Sequence, residues 1–294
     1  MSSMKRFFKA IFSWRGFVAL LFVLFFVIPV IQSWRIETLR ENAIRRLEKK
    51  HGSRVIVLIH RQESVNVLGI PVVRYINIDD SEDVLKAIRL TDKNTPLDFI
   101  LHTPGGLVLA ASQIAKAIKR HPAKTTVFVP HYAMSGGTLI ALAANEIVMD
   151  PNAVLGPIDP QLGDFPAASV LKVVEAKPIR RIDDATLVLA DQSKKAIAQI
   201  VALAQQLLSG KMPAEKAAAI AQRLASGEWT HDFPITAEAA RDLIGLPLGT
   251  QMPEEVFQLT GLYRQANEAS PSVFYLPGPR YKKGESSGKE VAVH

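Results

Sequence analysis

Ser135 lies among small residues in the segment AMSGG, residues 133–137, between an apolar strand-like run and an apolar helix-like run. A serine at such a turn exposes its hydroxyl, and small neighbours let a substrate carbonyl approach it. A helix that begins directly after the serine adds free N–H groups, which stabilise an oxyanion. The segment therefore predicts a nucleophile, although the same pattern is also typical of a serine that only caps its helix.

A second turn of this kind follows the strand-like segment LDFILH, residues 97–102, where Thr103-Pro104-Gly105-Gly106 precedes a helical pattern. Successive glycines let the backbone turn tightly and bring N–H groups close to a bound atom. Ligands of open α/β sheets bind beyond the carboxyl ends of the strands, so the two turns are expected to meet. Gly105 and Gly106 on one side, and Gly136 on the other, are the candidate oxyanion hole.

A nucleophilic serine also needs a base, and the histidines offer no obvious one. None of the seven lies between His131 and His231. His131 is separated from Ser135 by a turn, and a structural role is favoured for both histidines. Asp159 and Asp164, in GPIDPQLGD, are interpreted as turn or hairpin residues because of the surrounding Pro and Gly. A Ser-Lys dyad is therefore the better prediction.

The lysines that follow the serine are candidates for that base. Only a lysine in an apolar environment can lower its pKa from about 10.4 toward neutrality. Lys194 and Lys195 have the most apolar surroundings, and as helical neighbours they point about 100° apart, so at most one faces the core. The other two candidates are Lys172 and Lys177.

Several other chemistries are excluded by the sequence. The chain has no cysteine, which excludes a thiol nucleophile, a disulfide and a Cys-ligated zinc. It also lacks the H-E-x-x-H, Walker A and G-x-G-x-x-G motifs, so we expect neither a metal nor a cofactor. The net charge of +7 arises near the N-terminus and in the tail, which fits a membrane surface and not a nucleic-acid groove.

The N-terminal segment predicts a membrane anchor. Residues 16–34 carry no charge, and 19 helical residues span about 28 Å, close to the hydrocarbon thickness. A cleaved signal peptide is the alternative, but the apolar run is long and Ile31 stands at the −3 position before the small residue Ser33. Four Lys/Arg precede the span within 15 residues and five follow it, so the positive-inside rule assigns neither side to the catalytic domain.

The remaining pattern alternates between strands and helices. It predicts strands at 54–61, 72–79, 97–102, 125–129 and 146–150, with a helix capped by Asp80 after the second of them. Strands separated by helices indicate right-handed crossovers on a largely parallel sheet, hence an α/β fold. The predicted organisation is a basic segment 1–15, a transmembrane helix 16–34, a charged linker helix 35–52, a catalytic domain 53–268 and a flexible tail 269–294.

The motifs HTPGG and AMSGGTLIALAANEIVMDPNAVLGPIDPQLG, within residues 53–265, resemble the superfamily of the Clp protease proteolytic subunit and signal peptide peptidase A. The most similar member is the membrane-associated serine dehydrogenase proteinase family. The resemblance implies a Clp/crotonase-like spiral of ββα units, with Ser135 as nucleophile and Gly105, Gly106 and Gly136 at the oxyanion hole. Because the Clp-type histidine after the serine is absent, it favours a Ser-Lys dyad, with Lys195 chosen over Lys194 and Lys177.

The resulting prediction is a membrane-anchored serine endopeptidase that forms a homo-oligomer and cleaves peptides or membrane-protein segments. A catalytically inactive scaffold of the same fold is one alternative. A crotonase-like acyl-CoA enzyme is another, although it has no need of the serine.

Overall fold

The computed structural model describes residues 14–60, 65–67, 70–72, 74–242 and 244–263. Its strands are β1 (Arg54–Ile59), β2 (Val65–Val67), β3 (Ile70–Val72), β4 (Leu97–His102), β5 (Thr125–Val129), β6 (Tyr132–Ala133), β7 (Glu146–Met149), β8 (Val154–Leu155), β9 (Gln161–Leu162), β10 (Phe165–Pro166) and β11 (Ile235–Thr236). Its α-helices are α1 (Trp14–Phe22), α2 (Ile28–His51), α3 (Ile78–Arg89), α4 (Val108–Arg120), α5 (Gly136–Ala143), α6 (Ala167–Ala176), α7 (Asp184–Leu208), α8 (Ala214–Ala225), α9 (Ala237–Asp242) and α10 (Glu254–Gly261). A π-helical turn spans Val23–Val27, and a 3-10 turn spans Ile179–Arg181.

The main sheet has four parallel strands in the order β1-β4-β5-β7. Helices α3, α4 and α5 connect successive strands of this sheet. Every residue of β4 and β5 is buried, as expected for parallel strands covered on both faces. The predicted α/β fold with a parallel sheet is confirmed.

A small three-stranded sheet, in the order β11-β8-β6, lies beside the main one. Its central residue Leu155 pairs with Ala133 in the parallel direction and with Ile235 in the antiparallel direction. Residues after Ala133, residues after Leu155 and residues before Ile235 therefore leave the sheet at the same end. This topology brings three distant parts of the sequence together.

The segment before α3 differs from its prediction. The predicted strand 72–79 is limited to the end of β3 and an isolated bridge at Ile76, and α3 already begins at Ile78. Asn77 is the N-cap, and Asp80 completes a capping box by accepting the Asn77 N–H at 2.9 Å. The prediction of Asp80 as the cap is therefore wrong, because a carboxylate three residues into the helix satisfies a different backbone donor.

One continuous helical segment, Phe17–His51, is long and apolar enough to cross a membrane, a property that a signal sequence shares. The π-helical turn ends just before Pro29, which lacks an N–H and whose ring crowds the carbonyl of Phe25, four residues earlier. A π turn is one way in which a helix accommodates such a break in its hydrogen bonds. The predicted tail 269–294 and the basic segment up to residue 13 lie outside the described residues.

The C-terminal half of α2 is part of the folded domain. Ala43 and Leu47 are buried in a cluster with residues of the main sheet and α10, among them Ile100 and Phe128. Further along the helix, the His51 ring lies 2.6 Å from the Asp98 carboxylate of β4. Gly52 then ends α2 at φ 63°, the left-handed conformation that glycine commonly adopts after a helix.

Polar contacts also hold the first docked turn of α2. The Arg40 guanidinium donates to the Leu262 carbonyl at 2.9 and 3.1 Å and lies 4.2 Å from the centre of the Tyr263 ring. Burial raises the pKa of the Tyr263 phenol, opposed by the Arg40 charge. The predicted linker helix is therefore fixed to the domain from Arg40 onward.

We expect Leu47→Ala to lower the free energy of unfolding by about 2–5 kcal/mol, because it opens a cavity between α2 and the sheet. Leu39→Ala, at a side chain that is 44% exposed, is the matched control, with an expected change within about 0.5 kcal/mol. Urea denaturation of the detergent-solubilised protein measures both. Equal losses in the two variants would show that α2 is not docked.

Candidate active site

Ser135 has an unusual backbone conformation. Its φ of 49° and ψ of −114° place it outside the regions that L-residues favour, and among the described residues it is the one non-glycine with positive φ. It occupies the N-cap position of α5, yet its side chain makes no capping hydrogen bond. A hydroxyl held on a strained strand-to-helix turn and not used as a cap is typical of a nucleophile.

The glycines after Ser135 make room for close packing. A Cβ at Gly136 would lie 2.9 Å from the Ala111 Cβ, and one at Gly137 would lie 2.7 Å from the Thr103 Cγ2. Both distances are too short for carbon atoms, so only glycine lets the start of α5 approach α4 and the end of β4.

The glycine loop Thr103–Gly106 lies directly against the serine. A Cβ at Gly105 would be 2.8 Å from the Ser135 Cβ, and one at Gly106 would be 2.3 Å from the Ile76 carbonyl oxygen. Their φ angles, 103° and 154°, are also ones that side chains disfavour. Space and backbone conformation both require glycine at these two positions.

The N–H groups of the three glycines predicted to form the oxyanion hole differ in whether they already have an acceptor. The Gly105 N–H donates to Thr103 Oγ1 at 3.2 Å and is occupied. Within the described part of the chain, neither the Gly106 N–H nor the Gly136 N–H donates to a protein acceptor. These two donors flank Ser135, so they are the pair suited to an oxyanion, while Gly105 contributes its conformation.

A cavity of about 930 Å³ opens at Ser135. Apolar side chains form much of its wall, including Met134, Leu139, Ile158 and Ile200. Its ionisable side chains, apart from tyrosines, are His131, Asp159, His231 and Asp232. The cavity thus combines the serine with several groups able to carry a proton.

His231 and Asp159 form a hydrogen-bonded pair in this cavity. His231 Nδ1 lies 2.8 Å from Asp159 Oδ1, and the Asp159 side chain is 1% exposed. The second carboxylate oxygen of Asp159 accepts from Gln161 Nε2 at 2.6 Å. A buried carboxylate bound to Nδ1 fixes the ring and leaves Nε2 as the basic nitrogen, which is the arrangement of a histidine that serves a serine.

The small sheet explains why this pair lines the same cavity as Ser135. Asp159 follows β8, His231 precedes β11 and Ser135 follows β6, so all three residues leave the sheet at one end. Sequence reasoning favours a structural role for His231 and Asp159 and so misses their pairing. The sequence offers only a weak signal for this pairing. Strands of two residues show no recognisable alternation, and His231 and Asp159 are 72 positions apart.

The predicted base Lys195 lies elsewhere. Its side chain is 67% exposed and forms an ion pair with Asp191, one turn earlier in α7. Lys177 is also exposed, and Lys194 lies on the same helix as Lys195. Among the described residues, no lysine lines the Ser135 cavity. The role of Lys195 as the base therefore remains a prediction, and its exposed, ion-paired position does not favour that role.

Lys211, a lysine that the sequence patterns do not single out, caps the nucleophile helix. Its Nζ donates to the carbonyls of Leu142, at 2.6 Å, and Ala144, both at the C-terminus of α5. Burial, with a smaller effect from the nearby Lys119 charge, lowers the pKa of Lys211 to about 7. When protonated, the Lys211 ammonium interacts favourably with the negative C-terminal end of the α5 dipole, and Ser135 lies at the other end of this helix.

These elements and this serine define a chain of the ClpP-like class of serine proteinases. The model of the family described as ClpP-like SDH-type serine proteinase matches residues 5–290, and the chain belongs to that family. The family resemblance drawn from the sequence motifs is thus confirmed.

Two proteins of Methanocaldococcus jannaschii are similar over most of their length. Protein MJ0137 is 53% identical over 260 residues, covering 88% of this chain and 91% of the relative. Protein MJ1495 is 51% identical over 270 residues, covering 92% and 91%.

Solved structures resemble the fold more distantly. A serine-to-alanine mutant of the 1510-N membrane-bound stomatin-specific protease is 20% identical and covers 63% of this chain and 79% of its own, with a TM-score of 0.43. ClpP1 from Listeria monocytogenes is 17% identical and covers 71% and 98%, with a TM-score of 0.44.

We expect Gly106→Ala to reduce the rate of covalent labelling by a fluorophosphonate by about 100-fold or more, as loss of an oxyanion donor does. The added Cβ would collide with Ile76, so the loop must move its N–H away from Ser135. Gly52→Ala is the control, because Gly52 also has positive φ, at 63°, but has free space around it. Similar labelling of Gly106→Ala and wild type would exclude this loop from the reaction.

Proposed function

We propose that the protein is a membrane-anchored serine endopeptidase in which Ser135 attacks a peptide carbonyl. The observation that carries the proposal is the conformation of Ser135, strained at φ 49°, uncapped and flanked by the N–H groups of Gly106 and Gly136, which bind no acceptor in the described part of the chain. A tetrahedral intermediate on Ser135 would place its oxyanion near these donors. The acyl-enzyme would then be hydrolysed by water.

For the base, the contacts support His231. With Nδ1–H bound to Asp159, His231 would present Nε2 to the cavity that it shares with Ser135, take the Ser135 proton in the reacting complex and later deliver it to the leaving amine. The buried carboxylate stabilises the imidazolium that forms in between. In this proposal the catalytic residues are Ser135, His231 and Asp159.

The Ser-Lys dyad predicted from the sequence is the competing proposal. For Lys195 to act, its ammonium would have to leave Asp191 and lose its proton. The Lys195 side chain is 67% exposed, so nothing around it in the described structure supplies the desolvation that a lysine base requires. The two proposals therefore differ in which single side chain is indispensable for turnover.

The substrates we propose are extended peptides or membrane-protein segments. The apolar wall of the cavity favours a substrate with an apolar side chain near the cleaved bond, since burial of such a side chain gains about 1.5–3 kcal/mol. The anchor would be the apolar N-terminal part of the helical segment Phe17–His51, which would place the enzyme beside membrane proteins.

A homo-oligomer is also part of the proposal. Large apolar side chains are exposed around α6 and α7, with Phe165 60%, Ile179 74% and Val188 58% exposed. Burying them between copies of the chain would remove apolar surface from water.

Fluorophosphonate labelling tests the nucleophile. We expect the wild type to be labelled and Ser135→Ala to give no label, while Ser169→Ala, an exposed serine on α6, labels like wild type. Mass spectrometry of the labelled peptide locates the adduct. Labelling that persists in Ser135→Ala would refute the nucleophile, and an unlabelled wild type would favour an inactive scaffold.

Paired variants decide the base. We expect His231→Ala to lower kcat on the order of 10³-fold or more, as removal of a triad histidine does. Lys195→Ala should stay within about twofold of wild type, because its ion pair with Asp191 lies on the surface. The reverse pattern, a silent His231→Ala and an inactive Lys195→Ala, would establish the Ser-Lys dyad instead.

A further inference from the structure

Another histidine–aspartate pair, His60 and Asp80, lies outside the Ser135 cavity, next to the glycine loop. His60 follows β1, and its side chain is 7% exposed. Its Nε2 lies 3.3 Å from Asp80 Oδ2, and its Nδ1 lies 3.1 Å from Thr103 Oγ1. Neither His60 nor Asp80 lines the cavity, so this pair is not placed to exchange a proton with Ser135.

The hydrogen bonds of this group run in one direction when His60 is neutral. The ionised Asp80 carboxylate only accepts, so His60 Nε2 carries the hydrogen that faces it. His60 Nδ1 then accepts from the Thr103 hydroxyl. The Thr103 oxygen in turn accepts the Gly105 N–H at 3.2 Å. The result is a chain of hydrogen bonds from Gly105 through the buried Thr103 and His60 to Asp80, whose side chain is 22% exposed.

Thr103 joins the two halves of the proposed active site. Its side chain holds Gly105, while its backbone N–H donates to the Tyr132 carbonyl at 3.1 Å and its carbonyl accepts the Met134 N–H at 2.9 Å. The bond from Met134 fixes the backbone between the end of β6 and Ser135. Thr103 is fully buried, so water does not compete for its hydroxyl.

The far side of the glycine loop is held by Ile76. The Gly105 carbonyl accepts the Ile76 N–H at 2.7 Å, and the Ile76 carbonyl accepts the Leu107 N–H at 2.8 Å. Ile76 immediately precedes Asn77, whose N–H is bound by Asp80. The carboxylate of Asp80 therefore connects both supports of the loop.

We propose that Thr103, His60 and Asp80 are positioning residues for the oxyanion hole. They fix Gly105, and through it the direction of the Gly106 N–H, without contacting substrate. A loop of two glycines has many accessible conformations, and an oxyanion donor is effective only when it is preorganised. The inference rests on the proposed function of Gly106, and it predicts a loss in kcat with little change in KM.

The test compares two substitutions at Thr103. Thr103→Val keeps the shape and removes the hydroxyl, and we expect kcat for peptide hydrolysis to fall about 10- to 100-fold while KM stays within about twofold. Thr103→Ser keeps the hydroxyl and loses the methyl group that faces Gly137, and it should stay within about threefold of wild type. Thr91→Val, a buried threonine that bonds back to α3, is the control and should be silent.

A double-mutant cycle tests whether the residues act together. His60→Phe preserves a ring and removes both nitrogens, so it should lower kcat to a similar extent as Thr103→Val. The double variant should then lose no more than either single variant, because both break the same chain. If the fold-loss of kcat in the double variant equals the product of the two single losses, the residues act independently and the inference is overturned. Thr103→Val alone decides the matter if His60→Phe does not fold.

Amide hydrogen exchange separates this inference from the proposed function. Exchange at Gly105 should accelerate about tenfold or more in Thr103→Val, and should not in Thr103→Ser or Thr91→Val, whether or not the protein hydrolyses peptides. Accelerated exchange in an enzyme whose wild type shows no Ser135-dependent labelling would keep the loop support and refute the proposed function. Unchanged exchange, or changed exchange with wild-type kcat in an active enzyme, would refute the positioning role.

Discussion

The backbone of Ser135 is held at a positive φ that costs on the order of 1–3 kcal/mol, and much of the surrounding structure maintains that conformation. The Thr138 hydroxyl, one turn into α5, lies 2.8 Å from the carbonyl oxygens of Ala133 and Gly156, which share its single hydrogen, and it accepts the Gly156 N–H at 3.1 Å. These bonds tie the strand before the serine to the segment that leads to Asp159. The strained conformation of Ser135 is thereby stabilised by the same segment that carries Asp159, another candidate catalytic residue.

The same constraint explains the close packing of small residues around α5. Every residue of this helix is buried, and its apolar side chains Leu139, Ile140 and Leu142 anchor it in the core. A helix held on all sides cannot relax when its N-terminal residue is strained. Rigid placement of the helix is therefore the condition for an uncapped serine hydroxyl that faces the cavity.

Local features could be predicted from the sequence, whereas features that depend on distant pairing could not. The serine turn and the glycine turn are recognisable because each needs small residues at fixed positions, where a larger side chain would block the backbone. Their approach to each other follows from the parallel sheet. His231 could not be placed in this way, because it reaches the cavity through β8 and β11, which are two residues long and far apart in sequence.

The choice of Lys195 shows a related limit. Its neighbours in sequence are apolar, which indicates burial, but the buried positions of α7 lie on another face of the helix and the Lys195 side chain is exposed. Composition around a residue does not give its direction on a helix. Gly105 illustrates a different limit, since only the structure shows that its N–H is already bound to Thr103.

The unbroken course of α2 has a geometric consequence for an anchored enzyme. α2 runs without a break from the apolar stretch to the part that packs against the sheet. The length of the helix between them therefore sets both the distance and the rotation of the domain relative to the apolar stretch. One residue inserted between Trp34 and Arg40 would turn the whole domain about the helix axis by about 100° and move it by about 1.5 Å. An insertion of about seven residues would restore the original facing to within about 20°. In an enzyme anchored as proposed, the direction in which the cavity faces about the helix axis would thus be set by the length of a single helix.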